Sequence, residues 1–133
     1  AKNLKHLSPR ARSRLTVEND DKTYTPADLL PLCQETGNPL VYDAHHHRCL
    51  PDALSIEAAT EQALTTWNRE PLFHISSPLE GWQGPRPNRH HDFIDIQDFP
   101  LCWKGLQLTV EVEAKAKEQA VLNLMQLLQR CRT

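Results

Sequence analysis

Glu18, Asp43 with His46, His74, His90 and Glu113 are potential metal ligands, and most of them end a short apolar run. The steps from Glu18 to Asp43 and from Asp43 to His74 are 25 and 31 residues. That is close to one strand–helix unit when roughly 250 residues are divided among the eight units of a (β/α)₈ barrel. Parallel strands with helical crossovers bring their C-terminal ends to one face, so ligands distant in sequence converge there. Mixed carboxylates and imidazoles suit manganese, zinc or iron. A site with two or three such ions suits phosphodiester hydrolysis, one ion lowering the pKa of a bound water and another steadying the leaving oxygen. Sugar isomerases of the same architecture use similar ligands, so ligand type alone leaves the reaction open.

The sharpest local motif is Tyr42-Asp43-Ala44-His45-His46-His47. Three consecutive histidines cannot all face one ion, so one or two ligands are expected, with the rest supporting them or lying at the surface. A lone histidine on an apolar strand, such as His74, is more often a core residue, but its spacing from Asp43 favours a ligand. His90-His91-Asp92 follows a loop carrying Arg86 and Arg89, where metal binding and phosphate contact both fit. In the run VEVEAKAKE, strand alternation passing into a helix accounts for most of the charge, and Glu113 alone falls at a strand end. Asn19, Asp20 and Asp21 are expected to orient Glu18 or cap the turn after it.

The elements that must position these residues alternate in type. Residues 1–14 form a residual helix and loop, broken at Pro9, that leads into a strand at Leu15 to Val17. Thr25-Pro26-Ala27-Asp28 starts a helix, with a capping threonine and proline at the first helical position, and Gly37 stops it. Pro39 to Asp43 is short, apolar and acid-ended, as a buried parallel strand is. Ser55 caps a helix whose apolar positions are Ile56, Ala59, Ala63, Leu64 and Trp67. Leu72 to Ile75 is the third strand. Ser76 to Arg89, rich in proline, glycine and polar residues, is a loop long enough to be functional. Leu106 to Val112 alternates as a fourth strand, and a helix over about Ala114 to Arg130 turns Ala120, Leu124, Leu127 and Leu128 inward. The fold class is therefore α/β, parallel strands alternating with helices. Four such strands make half a barrel, which leaves two edges and one face uncovered. A missing N-terminal half or a second copy of the chain is expected to cover them. The absent initiator methionine and abrupt helical start lead us to expect a truncated chain.

At 133 residues and 39% hydrophobic, the chain suits one small domain. It has no apolar run of membrane-spanning length and no signal-like start, so no membrane partner is expected. A net charge of −2 excludes nucleic-acid binding by bulk charge, leaving a local basic patch or bound metal to hold such a substrate. Seven histidines exceed what packing needs. The four cysteines show no CxxC pair and no secretory context, as in a cytoplasmic protein with reduced thiols.

The ordered motifs VENDD, YTPADLLPLC, VYDAHHH, FHISSP, HHDFI and VEAKAKE, spread from about Leu15 to about Leu128, resemble the C-terminal half of the UV damage endonuclease family. The resemblance implies residues 15–133 are the C-terminal half of a TIM barrel that binds divalent metals, commonly manganese, with magnesium, zinc or iron as alternatives. It implies nicking of damaged double-stranded DNA 5′ to UV photoproducts. Glu18, Asp43, His46, His74, His90 and Glu113 then match family metal ligands, with Glu18, His46 and Glu113 closest to catalysis. His45, His47, Arg89 and Lys115 are expected to support the ligands or contact phosphate. The chain departs from the family at Leu72, where a metal-bridging lysine is often found, and in lacking the N-terminal half with its further histidine ligands. The alternatives are an apurinic-site endonuclease or sugar isomerase of the same superfamily, or a non-catalytic, self-associating half-barrel.

Overall fold

A computed structural model describes residues 1–131. Its elements run α1 (Pro9–Arg12), β1 (Val17–Glu18), α2 (Pro26–Thr36), β2 (Leu40–Val41), α3 (Ala44–Cys49), α4 (Ile56–Thr65), β3 (Leu72–Ile75), β4 (Thr109–Val112) and α5 (Glu118–Arg130), with 3₁₀ turns at Leu4–His6, Ile96–Asp98 and Leu101–Trp103.

All strand pairings are parallel. β1 pairs with β2 in the register Val17↔Leu40, and β3 pairs with β4 from Leu72↔Thr109 to Ile75↔Val112. The two pairs are joined just past β2, where the His74 N–H donates to Tyr42 O (3.0 Å) and Asp43 forms a parallel bridge with His74. The order is therefore β1-β2-β3-β4, and among the described residues neither β1 nor β4 has an outer neighbour. That is the expected half-barrel.

Strand alternation separates the two faces. Leu40, Tyr42, Phe73 and Ile75 are buried with Leu29, Leu30 and Cys33 of α2, Ala59 and Ala63 of α4, Leu124 of α5, and Trp103. Trp103 closes this core, its ring 5.4 Å from Phe73 and its Nε1–H donating to the buried Thr60 hydroxyl (2.9 Å). The residues between them, Glu18, Asp43, His74, Glu111 and Glu113, are left for the opposite face.

Local signals set the helix ends. Thr25 and Asp28 form a reciprocal capping box at α2, and Gly37, at φ 73°, ends it with its N–H on Cys33 O. Ser55 caps α4 as expected, but that helix stops at Thr65. Thr66 and Trp67 turn instead to the backbone of β2: the Thr66 hydroxyl accepts from Leu40 N–H and Trp67 Nε1–H donates to Leu40 O. Three further boundaries differ from expectation. The first strand is Val17–Glu18 rather than Leu15 to Val17, because Leu15 O is taken by the Asn38 side chain. The fourth begins at Thr109, after a turn at Gly105 (φ 83°). The last helix begins at Glu118, because Lys117 sits at φ 51° and breaks the path from Ala114. Residues 1–14 stay attached through Arg12, which donates to Thr36 O at the end of α2. No helix of the described residues is long and apolar enough to cross a membrane.

Candidate metal centre

The six candidate ligands arrive by three routes. Glu18 ends β1, Asp43 and Glu113 lie just beyond β2 and β4, and His74 is one residue short of the end of β3. His46 enters from α3. The loop after Ile75 folds back through an antiparallel bridge between Pro78 and His90, with Leu79 N–H on Arg89 O and His91 N–H on Ser77 O. That return brings His90 to the strand ends without a strand of its own.

At the centre, Glu18 Oε1 lies 3.1 Å from His74 Nδ1 and 3.5 Å from His46 Nδ1. Glu113 reaches His74 at 3.4 Å through one oxygen and His90 at 3.9 Å through the other. Three overlapping groups have ligand atoms within 4.8 Å of one another: Glu18, Asp43 and His46; Asp43, His74 and Glu113; and His46, His90 and Glu113. Shared members make this one cluster with room for more than one ion.

Asp43 gives the clearest sign of what the cluster suits. Its side chain is fully buried, and Oδ1 caps α3 by accepting the His46 N–H at 2.8 Å. Oδ2 has no hydrogen-bond partner. It lies 3.3 Å from His46 Nδ1, but that nitrogen has a better acceptor in Asn19 O at 2.9 Å. Burial raises the Asp43 pKa, with Glu113 and Glu18 adding to the rise. A buried carboxylate oxygen without a donor is costly, and a divalent cation satisfies it. The residues present therefore fit a metal. Because the Asn19 carbonyl can only accept, His46 donates Nδ1–H to it, and Nε2 is the nitrogen left to serve as a ligand.

His74 shows the same need in a different form. Burial alone pushes its imidazole down, but Glu18, then Glu113 and Asp43, outweigh that and hold its pKa up at about 9. Glu18 itself is held below the usual carboxylate range: burial opposes this, and His74 and His46 more than offset it. Glu18, Glu113 and Asp43 thus make His74 their counter-charge.

A helix turns about 100° per residue, so α3 sends its three histidines in three directions. His46 faces the ligands. His45 is buried, donates Nδ1–H to Ser76 O, and lies with its ring centroid 5.4 Å from that of His90 and 5.1 Å from that of Trp82. Burial, with His90 nearby, pushes its pKa down to about 4, so it stays neutral. It backs the cluster and is closed to phosphate. His47 corrects the expectation: it is 3% exposed, with Nδ1 on the Tyr42 hydroxyl (2.7 Å) and Nε2 on Asp52 (2.8 Å). Both nitrogens are occupied on the core side, so it neither supports a ligand directly nor meets phosphate. Asp52 also accepts from Ala27 N–H and Leu54 N–H, tying α3 to the start of α2. Arg89 is exposed beside His90, and Lys115 borders a shallow hollow of about 440 Å³ shared with His90, Glu111 and Glu113. Leu72 lies two residues before His74 in β3, opposite Thr109, and contributes no ligand atom.

Two residues at the site exceed their sequence expectation. Asn19 is fully buried and clasps Asp43 from both sides, donating to its carbonyl and accepting its N–H at 2.9 Å each. Glu111, read as ordinary alternation, stands opposite His74 in the ladder with Oε2 3.2 Å from Nε2. The signal for it was its place two residues before Glu113 on the same strand face.

The family model described as UV-endonuclease UvdE matches residues 1–133. A UV DNA damage endonuclease of Deinococcus radiodurans is 42% identical over 123 residues, covering 89% of this chain and 39% of that protein. UV-damage endonucleases of Neurospora crassa and Schizosaccharomyces pombe are 36% and 37% identical, over 93% and 92% of this chain but 20% and 22% of their own lengths. The crystal structure of SacUVDE superposes with a TM-score of 0.84 at 27% identity, over 98% of this chain and 45% of that one. The chain thus spans less than half of each of these relatives.

Proposed function

The chain belongs to the UV-endonuclease UvdE family, and from that membership and the ligand cluster we propose that it forms the metal-binding half of a DNA repair endonuclease. The observation that carries the proposal is the buried, donorless Oδ2 of Asp43 at the meeting point of the cluster. The reaction is hydrolysis of a phosphodiester 5′ to a UV photoproduct in double-stranded DNA: water adds to phosphorus, the bond to the 3′ oxygen breaks, and a proton reaches the leaving oxygen. When bound, divalent ions, manganese first among them, supply Lewis acidity to the attacking water and the leaving oxygen. Glu18, His46 and Glu113 would hold the ions that serve the reaction, with Asp43, His74 and His90 completing the set. Asn19 fixes the backbone of Asp43 and the tautomer of His46. Arg89 and Lys115 contact phosphate as the duplex backbone approaches the exposed side of His90. With ions held there, the local charge would be reversed, which would let the site take acidic DNA despite the chain's net charge of −2.

The open face also bears on the partner. A second copy laid across it would set Glu18, Glu111 and Glu113 against the same carboxylates, an arrangement repulsive without metal. A complementary half supplying imidazoles or cations is the better occupant, so catalysis belongs to the whole barrel, inside the cell where its DNA lies.

The test has two stages. Native mass spectrometry of the manganese-loaded, desalted chain should show two or more ions, with loss in His46→Ala, and its mass reports self-association. Joined to the preceding barrel half of the Deinococcus radiodurans relative, the chain should nick UV-irradiated supercoiled plasmid and spare unirradiated plasmid. Equal cutting of abasic-site plasmid would favour an apurinic-site enzyme, and a metal-loaded chimera that cuts no DNA would sink the proposal.

A further inference from the structure

His74 is placed unlike the other histidines of the cluster. Nδ1 lies 3.1 Å from Glu18 and 3.4 Å from Glu113, while Nε2 lies 3.2 Å from Glu111 Oε2. The second contact is built into the sheet, because His74 and Glu111 are direct partners in the parallel register of β3 and β4. Glu111 and Glu113, two residues apart, share one face of β4. They nevertheless have different places: Glu113 belongs to two of the ligand groups and Glu111 to none. Glu111 therefore sits one layer nearer the strand N-termini, behind the ring of His74 as seen from the cluster.

We propose that Glu111 is a positioning residue for His74, accepting its Nε2–H so that Nδ1 is bare and aimed at a divalent ion shared with Asp43 and Glu113. This rests on the metal reading of the site and adds a residue to it. A histidine that binds metal through one nitrogen ordinarily donates the other N–H to a carboxylate or carbonyl, which fixes the tautomer and raises the basicity of the ligand nitrogen. His46 has the Asn19 carbonyl for this purpose. For His74 the carboxylate that lies beside the far nitrogen is Glu111, with Oε2 3.2 Å from Nε2. Without it, the half-buried ring keeps its place in β3 but loses its orientation, since Glu18 and Glu113 lie on the other nitrogen. Loss of such a partner weakens metal binding by roughly 10–100-fold.

The experiment is a manganese titration of the purified chain, free Mn(II) being read by electron paramagnetic resonance, on wild type, Glu111→Ala and Glu111→Gln. Glutamine retains an oxygen acceptor for Nε2–H and should keep most of the affinity that alanine loses. Nitrogen-15 imidazole NMR of the zinc-loaded chain supplies a readout that a merely structural role would not move. Wild type and E111Q should show His74 protonated on Nε2 with a hydrogen-bonded proton, and E111A should lose that resonance. Manganese bound equally by wild type and E111A, or an unchanged Nε2–H in E111A, overturns the inference while leaving the metal reading intact. Failure of the wild-type chain to bind manganese at all removes the metal reading and this inference with it.

Discussion

Raising the pH of the chelator-treated chain from 6.5 to 9 should destabilise it, and His74 is the reason. In the fold its pKa is held up at about 9, against 6.5 for an ordinary histidine, because Glu18, Glu113 and Asp43 surround it. The folded state therefore binds a proton that the unfolded chain releases across this window. The stabilisation is fully present below pH 6.5 and is lost as the pH rises through 9. At ~1.4 kcal/mol per unit of pKa shift, the loss approaches about 3 kcal/mol, a large share of the 5–15 kcal/mol typical of a domain. Urea unfolding followed by far-ultraviolet circular dichroism in EDTA measures it, and His74→Gln should flatten the slope. His45 tilts the other limb: buried beside His90, it stays neutral to about pH 4, so stability falls as the pH drops from 6.5 toward 4. The two together place the maximum contributed by these histidines near pH 6.5. A metal-free chain equally stable at pH 6.5 and 9, or the same slope in His74→Gln, would refute the assignment of His74 as the counter-charge. Manganese must displace the same proton, so affinity should climb with pH up to about 9, with calorimetry in buffers of different ionisation enthalpy counting the proton released.

Tyr42→Phe removes the hydroxyl 2.7 Å from His47 Nδ1 and leaves that buried nitrogen unpaired, so the urea midpoint should fall by the equivalent of about 1–3 kcal/mol with an unchanged m value. Asn19→Ala breaks both hydrogen bonds that clasp Asp43, and should cost about 2 kcal/mol in urea unfolding and weaken manganese binding together. Trp103→Ala opens the core against Phe73 and Tyr42 and should cost about 3–5 kcal/mol by the same unfolding assay. A thiol reagent at neutral pH should label exposed Cys131 quickly. Cys33 and Cys49, whose thiols burial pushes up to about 11, should react only once urea is added.

Much of the fold was legible because its punctuation is local. The capping box at Thr25 and Asp28, the glycine at 37 and the serine cap at 55 act within a turn of the residues they control, and each stands where the chain reads it. The boundaries that moved depend on distant groups. Nothing in the neighbourhood of Trp67 announces that its indole will donate to Leu40 across the sheet, and this contact, with Thr66, marks the end of α4. Likewise Leu15 leaves the first strand because Asn38, 23 residues on, takes its carbonyl.

The site divides along the same line. Strand-end spacing was enough to bring Glu18, Asp43 and His74 together, and a strand-end position to add Glu113, since parallel register is a property of the repeat and not of any one contact. His46, His45 and His47 are different, because three adjacent histidines are equivalent until the backbone conformation is known. Read as an extended strand end, the run sends alternate rings to the same face. Capped by Asp43 as a helix, it deals one ring to the carboxylate cluster, one to the wall behind His90, and one to a core network through Tyr42 and Asp52. The cap that starts the helix is itself a candidate ligand: Oδ1 of Asp43 is committed to His46 N–H, and the free Oδ2 follows from that commitment. The same carboxylate thus aims His46 and is left needing a cation. On the proposed metal reading, folding of α3 and assembly of the centre would be one event, and a substitution that spoils the cap should cost metal affinity and helix stability in step.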